Sequence, residues 1–358
     1  MAATAGRSAG SRGQSSTSCS PEHTMPATPR DLPVWALAAA SLRAGTPVAL
    51  LCVLRSTGSS PGRQGFKMCV TATETAGSIG GGIMEHKWVG LARQRLQAGV
   101  VTALLRPQIH RREAPTDRSG MMCSGEQEVL LWPLASADTV GVTAIENALR
   151  TGTSGYLSLS PASGLRAETT VKKALSEAEQ AHFYHYRPGP MWHYRERLGF
   201  RDHLTVVGGG HVSLALSRVL ALLDFELTVL DDRADLPTLA ANEAAHRRRV
   251  INYENVADEI PAGPHQYVVV MTVGYRTDAV VLRQLLGRPY RYLGVMGSAA
   301  KITELRQGLC ENGFSTEEVA RLRGPIGLPI NSQTPEEIAI SIAAELIQVR
   351  RKVAMNEQ

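Results

Sequence analysis

The glycine-rich segment Leu204–Asp232, LTVVGGGHVSLALSRVLALLDFELTVLDD, gives the clearest structural prediction in the chain. A short β-branched run enters three consecutive glycines, Gly208, Gly209 and Gly210, and a second apolar run ends in an acidic pair. Between the two runs, apolar residues recur at the spacing of one buried helix face. These residues are Val212, Leu216, Val219 and Leu223. Strand, glycine turn, helix and strand in this order predict the first half of a dinucleotide-binding type of fold.

The glycine turn of this segment also predicts a binding site. Its first and third glycines let the backbone approach a phosphate, whose charge the free N–H groups at the start of the helix would bind. Ser213 is the small third residue of a G-x-G-x-x-G pattern, and an acid about 20 residues further on, Asp231 or Asp232, would bind ribose hydroxyls. His211 either contacts the ligand or caps the helix. Because folds of this type also serve other ligands, the pattern does not fix a nucleotide as the ligand.

Beyond Asp232, strand and helix patterns alternate. Strands are predicted at Val250–Ile251, Tyr267–Met271, Tyr292–Met296 and Ile326–Leu328, and helices near Leu236–His246, Asp278–Leu286, Ala299–Gly313 and Pro335–Arg350. This alternation predicts a parallel sheet with helices on both faces. Ligands of such folds bind at the carboxyl edge of the sheet, so the strand ends are expected to line the site. The candidate residues there are Thr272, Gly297 and Ser298.

A second glycine cluster, Gly77–Gly82, precedes a helical pattern in the first half of the chain. Its sequence is GSIGGG, and three consecutive glycines at a helix start predict a nest of N–H donors for a phosphate or another oxyanion. Its candidate binding residues are Ser78, Gly80, Gly81, Gly82 and Glu85. The alternative is a tight turn beside a solvated pair formed by Glu85 and His86.

These patterns divide the chain into two domains with flanking segments. Residues 1–30 are rich in Ser, Ala, Gly and Thr, have little to bury, and are predicted to be disordered. An N-terminal α/β domain is predicted over 31–181, a linker over 182–200, and a domain with a doubly wound parallel sheet over 201–358. The predicted fold class is therefore α/β in both domains.

The composition argues against several classes of protein. The net charge of +5 suits an anionic ligand, but the few aromatic residues are not interleaved with basic ones as nucleic-acid binding requires. The basic run His246–Arg249 is interpreted as a solvated helix end. No window approaches the roughly 18 apolar residues of a membrane span. The histidines between 182 and 211 lack the helical spacing and the carboxylate partners of a metal site.

The five cysteines form no C-x-x-C pair. The odd count predicts neither a disulfide framework nor a zinc site, and it favours a reducing cytoplasm. Cys69 lies among apolar neighbours and is predicted to be an inert core thiol. Cys123 is flanked by serine and glycine, and is a candidate soft ligand or sulfur acceptor, with a plain loop cysteine as the alternative.

Four motifs occur together and in order between Asp31 and the C-terminus. They are GSIGGG at Gly77–Gly82, VGGGHV at Val207–Val212, YLGVMGS at Tyr292–Ser298 and PIGLPINSQTPEEIAISIAAEL at Pro325–Leu346. The ordered set resembles the XdhC/CoxI family, the accessory factors of xanthine dehydrogenase and related molybdenum hydroxylases.

The resemblance implies a chaperone for the molybdenum cofactor. Proteins of this family bind molybdopterin, support replacement of an oxo by a sulfido ligand on molybdenum together with a cysteine desulfurase, and pass the cofactor to the hydroxylase apoenzyme. The implied fold is an N-terminal α/β domain followed by a Rossmann-like domain, often in homodimers. A carrier of this kind has no turnover of its own. Molybdopterin carries a phosphate, so N–H nests and positive charge should face it.

Two positions depart from the family pattern. Many relatives have a cysteine after the glycines of the first cluster, where this chain has Ile83, and a histidine where this chain has Val273. Thiol or imidazole chemistry at those positions is therefore lost, and Cys123 is the surviving thiol candidate. Two other functions stay open. The Gly208–Gly210 turn with Asp231 also suits an NAD(P)-dependent oxidoreductase or a nucleotide-sensing regulator.

Overall fold

The computed structural model describes residues 28–109, 125–169 and 183–354. It contains an N-terminal lobe built on two antiparallel sheets and a C-terminal lobe built on one parallel sheet. The predicted α/β class, with an N-terminal α/β domain and a doubly wound parallel sheet, is confirmed. Residues 1–27 of the predicted disordered extension lie outside the described residues. Arg30 does not, and its guanidinium group packs 3.4 Å from the ring centre of Phe66.

The larger N-terminal sheet is centred on strand β1, in which Val48–Leu54 are all buried. The strand order is β3-β2-β1-β5-β4. The strands are β1 (Val48–Gly58), β2 (Lys67–Val70), β3 (Thr75–Gly77), β4 (Leu104–Ile109) and β5 (Gly125–Leu134), and the helices of this lobe are α1 (Leu32–Arg43), α2 (Gly82–Gln97) and α3 (Thr139–Thr151). Leu50 packs against α1 and α3, whereas Leu51 packs against α2. The run is continuously apolar because helices cover both faces of the sheet.

A second antiparallel sheet corrects the prediction of a linker at 182–200. Its strands are β6 (Tyr156–Ser160), β7 (Gly164–Glu168), β8 (Tyr184–Arg187) and β9 (His193–Arg197), in the order β7-β6-β9-β8. The Pro188–Pro190 segment is the turn between β8 and β9 and does not separate two domains. Tyr194 is fully buried and belongs to the same apolar core as Leu50. The segment is therefore an integral part of the N-terminal lobe.

The C-terminal sheet has the strand order β12-β11-β10-β13-β14, with every neighbouring pair parallel. This order is that of a dinucleotide-binding fold. The strands are β10 (Asp202–Val207), β11 (Phe225–Asp231), β12 (Arg247–Val250), β13 (Gly263–Val270) and β14 (Tyr290–Val295). The helices are α4 (His211–Leu220), α5 (Pro237–Ala240), α6 (Val256–Glu259), α7 (Tyr275–Leu285), α8 (Ala299–Glu311), α9 (Thr316–Arg321) and α10 (Pro335–Ala354). Helices α4 and α10 cover one face, and α6 to α9 cover the other.

Two local predictions in this lobe are wrong. The predicted helix at Leu236–His246 shortens to Pro237–Ala240, and just beyond its end the buried side-chain amide of Asn242 donates to Ser217 Oγ at 2.8 Å. The predicted strand at Ile326–Leu328 is a loop. There Gly327 has a φ of 100° and donates its N–H to the buried Glu345 carboxylate at 2.7 Å.

The basic run also differs from its prediction. Arg247–Val250 forms β12, an exposed edge strand, and is not a helix end. Arg247 pairs with Glu226 on the neighbouring strand at 3.1 Å, so this part of the run is solvated as expected but held in a sheet. Within the described residues, no helix combines the length and the apolar character needed to cross a membrane.

Candidate functional site

The first glycine of the C-terminal cluster is required by strand packing. Gly208 has a φ of 114°, and a Cβ atom there would lie 2.2 Å from the carbonyl oxygen of Met271. Any side chain would push β10 away from the end of β13. Gly208 therefore sets the close approach of two strands at the carboxyl edge, and its conformation is one that L-residues rarely adopt.

The second glycine is bound to Asp231. The Gly209 N–H donates to Asp231 Oδ2 at 2.6 Å, and the Arg233 guanidinium contacts both carboxylate oxygens at 2.8 Å. Asp231 is fully buried; burial opposes ionisation, yet the hydrogen bonds from Arg233 and Gly209 lower the pKa of its carboxyl group. Asp231 thus holds the glycine turn and does not present a carboxylate to a ribose. Asp232 is the exposed acid of the pair.

The third glycine leaves an open helix start. Gly210 precedes α4 with φ −71° and ψ −170°, and a Cβ atom there would meet no heavy atom within 4 Å. His211 is the first helical residue and is exposed. No side chain among the described residues caps this helix. Its first N–H groups and the positive end of its dipole are therefore available to an anion from solution.

A polar cluster at the ends of β13 and β14 includes two residues that sequence reasoning missed, Asp278 and Lys301. Thr272 donates its N–H and its hydroxyl to Asp278 Oδ1 at 3.1 and 2.5 Å. Asp278 is fully buried and pairs with Lys301, whose ammonium also donates to the Met296 carbonyl at 3.2 Å. Both residues lie in the first turns of helices that follow strand ends, which is the local signal that could have indicated them.

Two further candidate residues at this edge, Gly297 and Ser298, contact Lys301. Ser298 caps α8 by accepting the Lys301 N–H at 3.3 Å. A Cβ atom on Gly297 would lie 2.6 Å from Lys301 Cδ, so the glycine makes room for the lysine side chain. Thr272, Gly297 and Ser298 therefore lie together, as predicted, and they position one ammonium group at the carboxyl edge of the sheet.

In the N-terminal cluster the chain supplies its own anion. Glu85 Oε2 accepts hydrogen bonds from the Ser78 hydroxyl at 2.7 Å, the Ile79 N–H at 2.8 Å and the Gly81 N–H at 3.0 Å. Burial opposes ionisation, but these donors lower the pKa of Glu85. Glu85 thus engages the N–H groups of Ile79 and Gly81 while it is ionised, and the Gly80 N–H donates to Ser78 Oγ at 3.1 Å, so this cluster is less open than the predicted nest.

Three glycines of this cluster, Gly80, Gly81 and Gly82, have backbone conformations with positive φ. Gly80 has a φ of 129°, and a Cβ atom there would lie 2.3 Å from the Gly62 amide nitrogen, so two loops approach backbone to backbone. Gly81 precedes α2 with a φ of 75°, and Gly82 is its first residue. The hydrogen bonds of the two glycine clusters stay within their own lobes.

Replacing Glu85 by glutamine should destabilise the N-terminal lobe by about 1 kcal/mol at pH 7, because charge-assisted hydrogen bonds weaken while the shape is kept. Since the pKa of Glu85 is lowered, this stabilisation is present above the ordinary pKa and is lost as the pH falls through the lowered one. Urea unfolding at pH 7 and below pH 4 measures both effects. Glu74→Gln, at an exposed position, is the control and should change stability by less than about 0.5 kcal/mol. Equal losses at both pH values would contradict the assignment.

The cysteines of the described residues offer no reactive thiol inside either lobe. Cys52 and Cys69 are buried, and burial raises the pKa of the Cys69 thiol to about 12, in agreement with the predicted inert thiol. Cys310 is exposed on α8. Cys123 lies outside the described residues. Ile83 and Val273, the two departures from the family pattern, are 61% and 73% exposed.

Two family models match this chain, one in each lobe. Residues 204–346 match the model described as the XdhC Rossmann domain, and residues 41–106 match that of the XdhC and CoxI family. The uncharacterized protein YqeB of Escherichia coli K12 is 31% identical over 153 residues, which is 42% of this chain and 28% of YqeB. A probable xanthine dehydrogenase component of Bacillus subtilis 168 is 29% identical over 160 residues, 45% of this chain and 46% of that protein. The chain therefore spans less than half the length of either relative.

A solved structure shares the fold over nearly the whole chain. It is the crystal structure of a xanthine dehydrogenase from Bacillus halodurans, with a TM-score of 0.64 and 22% identity. The match covers 89% of this chain and 96% of the other. The likeness of fold therefore extends over residues of both lobes.

Proposed function

This chain belongs to the XdhC/CoxI family, and we propose that it is an accessory factor that binds molybdopterin and supports its sulfuration and insertion into a xanthine dehydrogenase-type hydroxylase. The family is associated with xanthine dehydrogenase maturation. The observation that carries the proposal for cofactor binding is the uncapped start of α4 at Gly210, beside the carboxyl edge of a parallel sheet. A phosphate-bearing cargo suits free N–H donors at a helix start.

The residues at this edge fit such a cargo. The first N–H groups of α4 would receive the phosphate, since no described side chain caps them. Lys301 adds an N–H donor at the same edge, while Asp278 balances its charge. The bound cofactor would carry the molybdenum and its sulfur ligands, and the chain would hold and orient it. The buried thiols of Cys52 and Cys69 are unsuited to sulfur transfer. The sulfur would come from a cysteine desulfurase, the partner that the family resemblance implies.

The oxidoreductase alternative loses one of its two supporting features. It rested on the Gly208–Gly210 turn together with Asp231, and Asp231 is buried against Gly209 and Arg233. The form of the proposal that we carry forward is the one that the family resemblance implies, a cytoplasmic homodimer that acts on a hydroxylase apoenzyme without turnover of its own.

Purified protein should retain molybdopterin when it is produced with an active molybdenum-cofactor pathway and isolated without oxygen. Fluorescence of the oxidised pterin measures retention, and protein from a host without the pathway is the control. A hydroxylase from cells that lack this chain should also contain less cyanide-labile sulfur. Absence of bound pterin together with unchanged labile sulfur would refute the proposal.

A further inference from the structure

The C-terminal lobe has a cavity at the edge of its sheet, on the side of β14. The cavity has a volume of about 560 Å³ and lies beside the first half of β14, between that strand and helices α8 and α9. Its lining contains five arginines, namely Arg288, Arg291, Arg306, Arg321 and Arg323. It shares no residue with the cluster of Thr272, Ser298 and Lys301, which lies at the carboxyl ends of the strands. It is therefore separate from the site proposed for molybdopterin.

The positive charge of this cavity is poorly compensated. Among the described residues, the single carboxylate in its lining belongs to Glu345, which accepts hydrogen bonds from the Tyr292 hydroxyl at 2.8 Å and from the Gly327 N–H at 2.7 Å. Its other oxygen lies 3.6 Å from Arg323. Five arginines thus line a cavity whose single carboxylate is already engaged. An anion bound in the cavity would offset the repulsion between these like charges.

Several of these guanidinium groups are held in place by backbone carbonyls. Arg306 Nη2 donates to the carbonyls of Leu322 at 3.0 Å and Gly324 at 3.4 Å, and Arg288 donates to the carbonyl of Ala257. Carbonyl partners fix a guanidinium group without cancelling its charge. The Nε atoms of Arg291 and Arg306 are buried and have no hydrogen-bond partner among the described residues. Fixed, charged and partly unsatisfied donors are the arrangement expected of an anion site.

We propose that this cavity binds a small molecule that carries a chain of two or more phosphates. Guanidinium groups bind phosphate oxygens in a bidentate manner, and several of them around one cavity suit a polyphosphate better than a single phosphate. The volume lies within the range of small-molecule sites, about 300–1,000 Å³. Inorganic pyrophosphate and nucleoside triphosphates share this chemistry. The inference rests on the cavity alone and does not depend on the proposed function.

An acidic peptide segment fits this edge less well. Extended peptides bind a sheet edge by adding a strand to it. At β14 the chain itself already pairs, since Arg323 donates its N–H to the Leu293 carbonyl and accepts the Val295 N–H, both at 2.9 Å. A peptide strand would have to displace this segment, whereas a compact anion would enter the cavity beside it.

Calorimetric titration of the full chain with orthophosphate, pyrophosphate and ATP tests the inference. Pyrophosphate and ATP should bind more tightly than orthophosphate. The double variant Arg321→Gln/Arg323→Gln should weaken both by at least about tenfold, since charge-assisted hydrogen bonds are lost. Both side chains are exposed, and Glu345 keeps its hydrogen bonds from Tyr292 and Gly327 when Arg323 is replaced, so the thermal unfolding temperature should fall only slightly. A stronger response to ATP than to pyrophosphate would assign the site to nucleotides, and equal responses would assign it to the phosphate chain itself.

The matched control is Arg187→Gln/Arg218→Gln, which removes the same charge from two exposed positions outside the cavity. Its affinities should stay within about twofold of the wild type, because screened surface charges act weakly at a distance. Three results would overturn the inference: no binding of pyrophosphate or ATP, equal losses in the two double variants, or Arg321/Arg323-dependent binding of a hexaglutamate peptide in place of the phosphates.

Discussion

Replacing Lys67 by methionine should lower the free energy of unfolding of the N-terminal lobe by about 3–5 kcal/mol, because the change leaves a buried carboxylate without its partner. Lys67 is 1% exposed, and its ammonium lies 2.5 Å from Asp31 Oδ2 and 2.6 Å from Glu196 Oε1. It also donates to the Gly65 carbonyl at 2.8 Å. Glu196 is 2% exposed, so water cannot replace the lost ammonium.

The loss should depend on pH. Burial raises the pKa of Glu196 to about 7, with Lys67 opposing the shift and Asp31 adding to it. Without Lys67 the pKa of Glu196 should rise further. A carboxyl group with a raised pKa in the folded state contributes stability at low pH and loses it as the pH rises through that value. Lys67→Met should therefore cost less stability at pH 5 than at pH 8.

Chemical denaturation at both pH values measures this effect. Arg43→Met is the matched control in the same lobe, because Arg43 is 53% exposed and its partner Glu146, at 3.3 Å, keeps a second cation, Arg150, at 2.9 Å. A partly exposed pair whose carboxylate keeps another cation contributes little, and we expect a loss below about 1 kcal/mol. Adding Glu196→Gln to Lys67→Met should recover part of the stability. Equal losses for Lys67→Met and Arg43→Met would show that Lys67 does not neutralise a buried carboxylate.

The ion pairs of Lys67 with Asp31 and Glu196, here called the Lys67 network, also lie close in sequence to the loop that packs against the first glycine cluster. Asp31 precedes α1, Lys67 begins β2 and Glu196 lies in β9, so one ammonium joins a helix and both N-terminal sheets. Lys67 also ends the loop that contains Gly62, and Gly62 is the residue that packs against Gly80. We therefore expect the network to position the loop around Glu85.

The C-terminal fold was predictable because its signals are local. The Leu204–Asp232 segment contains a strand, a turn, a helix and a strand in sequence. The strands and the helix can each be recognised from the spacing of their apolar residues, and the turn from its glycines. The β8 and β9 strands were missed because the pairing of β9 with β6 forms only in the tertiary structure, while the prolines and the glycine between β8 and β9 resemble a linker. The same limit applies to Lys67 and Glu196, which are distant in sequence and adjacent in space.

The sequence indicated which acidic residues lie beside the glycine turns, but it did not predict what their carboxylates bind. Glu85 and Asp231 were both identified beside glycine turns, and both carboxylates bind the turn itself. Sequence spacing places an acid near backbone N–H groups, but it does not distinguish an acid that awaits a ligand from one that replaces it. Asp278 and Lys301 were missed because only the sheet brings the starts of two helices together.

Replacing Gly210 by aspartate should weaken molybdopterin binding about a hundredfold and leave the fold intact. The backbone at Gly210 is extended and the space around it is open, so a side chain fits without strain. An aspartate before α4 would accept the first free N–H groups of the helix, as Asp does at helix N-termini generally. It would occupy the donors proposed for the phosphate and repel the phosphate charge. Retention of the oxidised pterin and thermal unfolding measure the two effects.

Gly210→Asn separates the charge from the shape of the new side chain. Asparagine can accept the same N–H groups but carries no charge, so its loss of binding should be about tenfold smaller than that of aspartate. The comparison also distinguishes the two glycine clusters. Glu85 in the first cluster accepts the N–H groups of Ile79 and Gly81, which precede α2, whereas an introduced aspartate would accept the first helical N–H groups of α4. If Gly210→Asp retained molybdopterin as well as the wild type, the start of α4 would not be the phosphate site, and the cofactor would have to bind elsewhere on the chain.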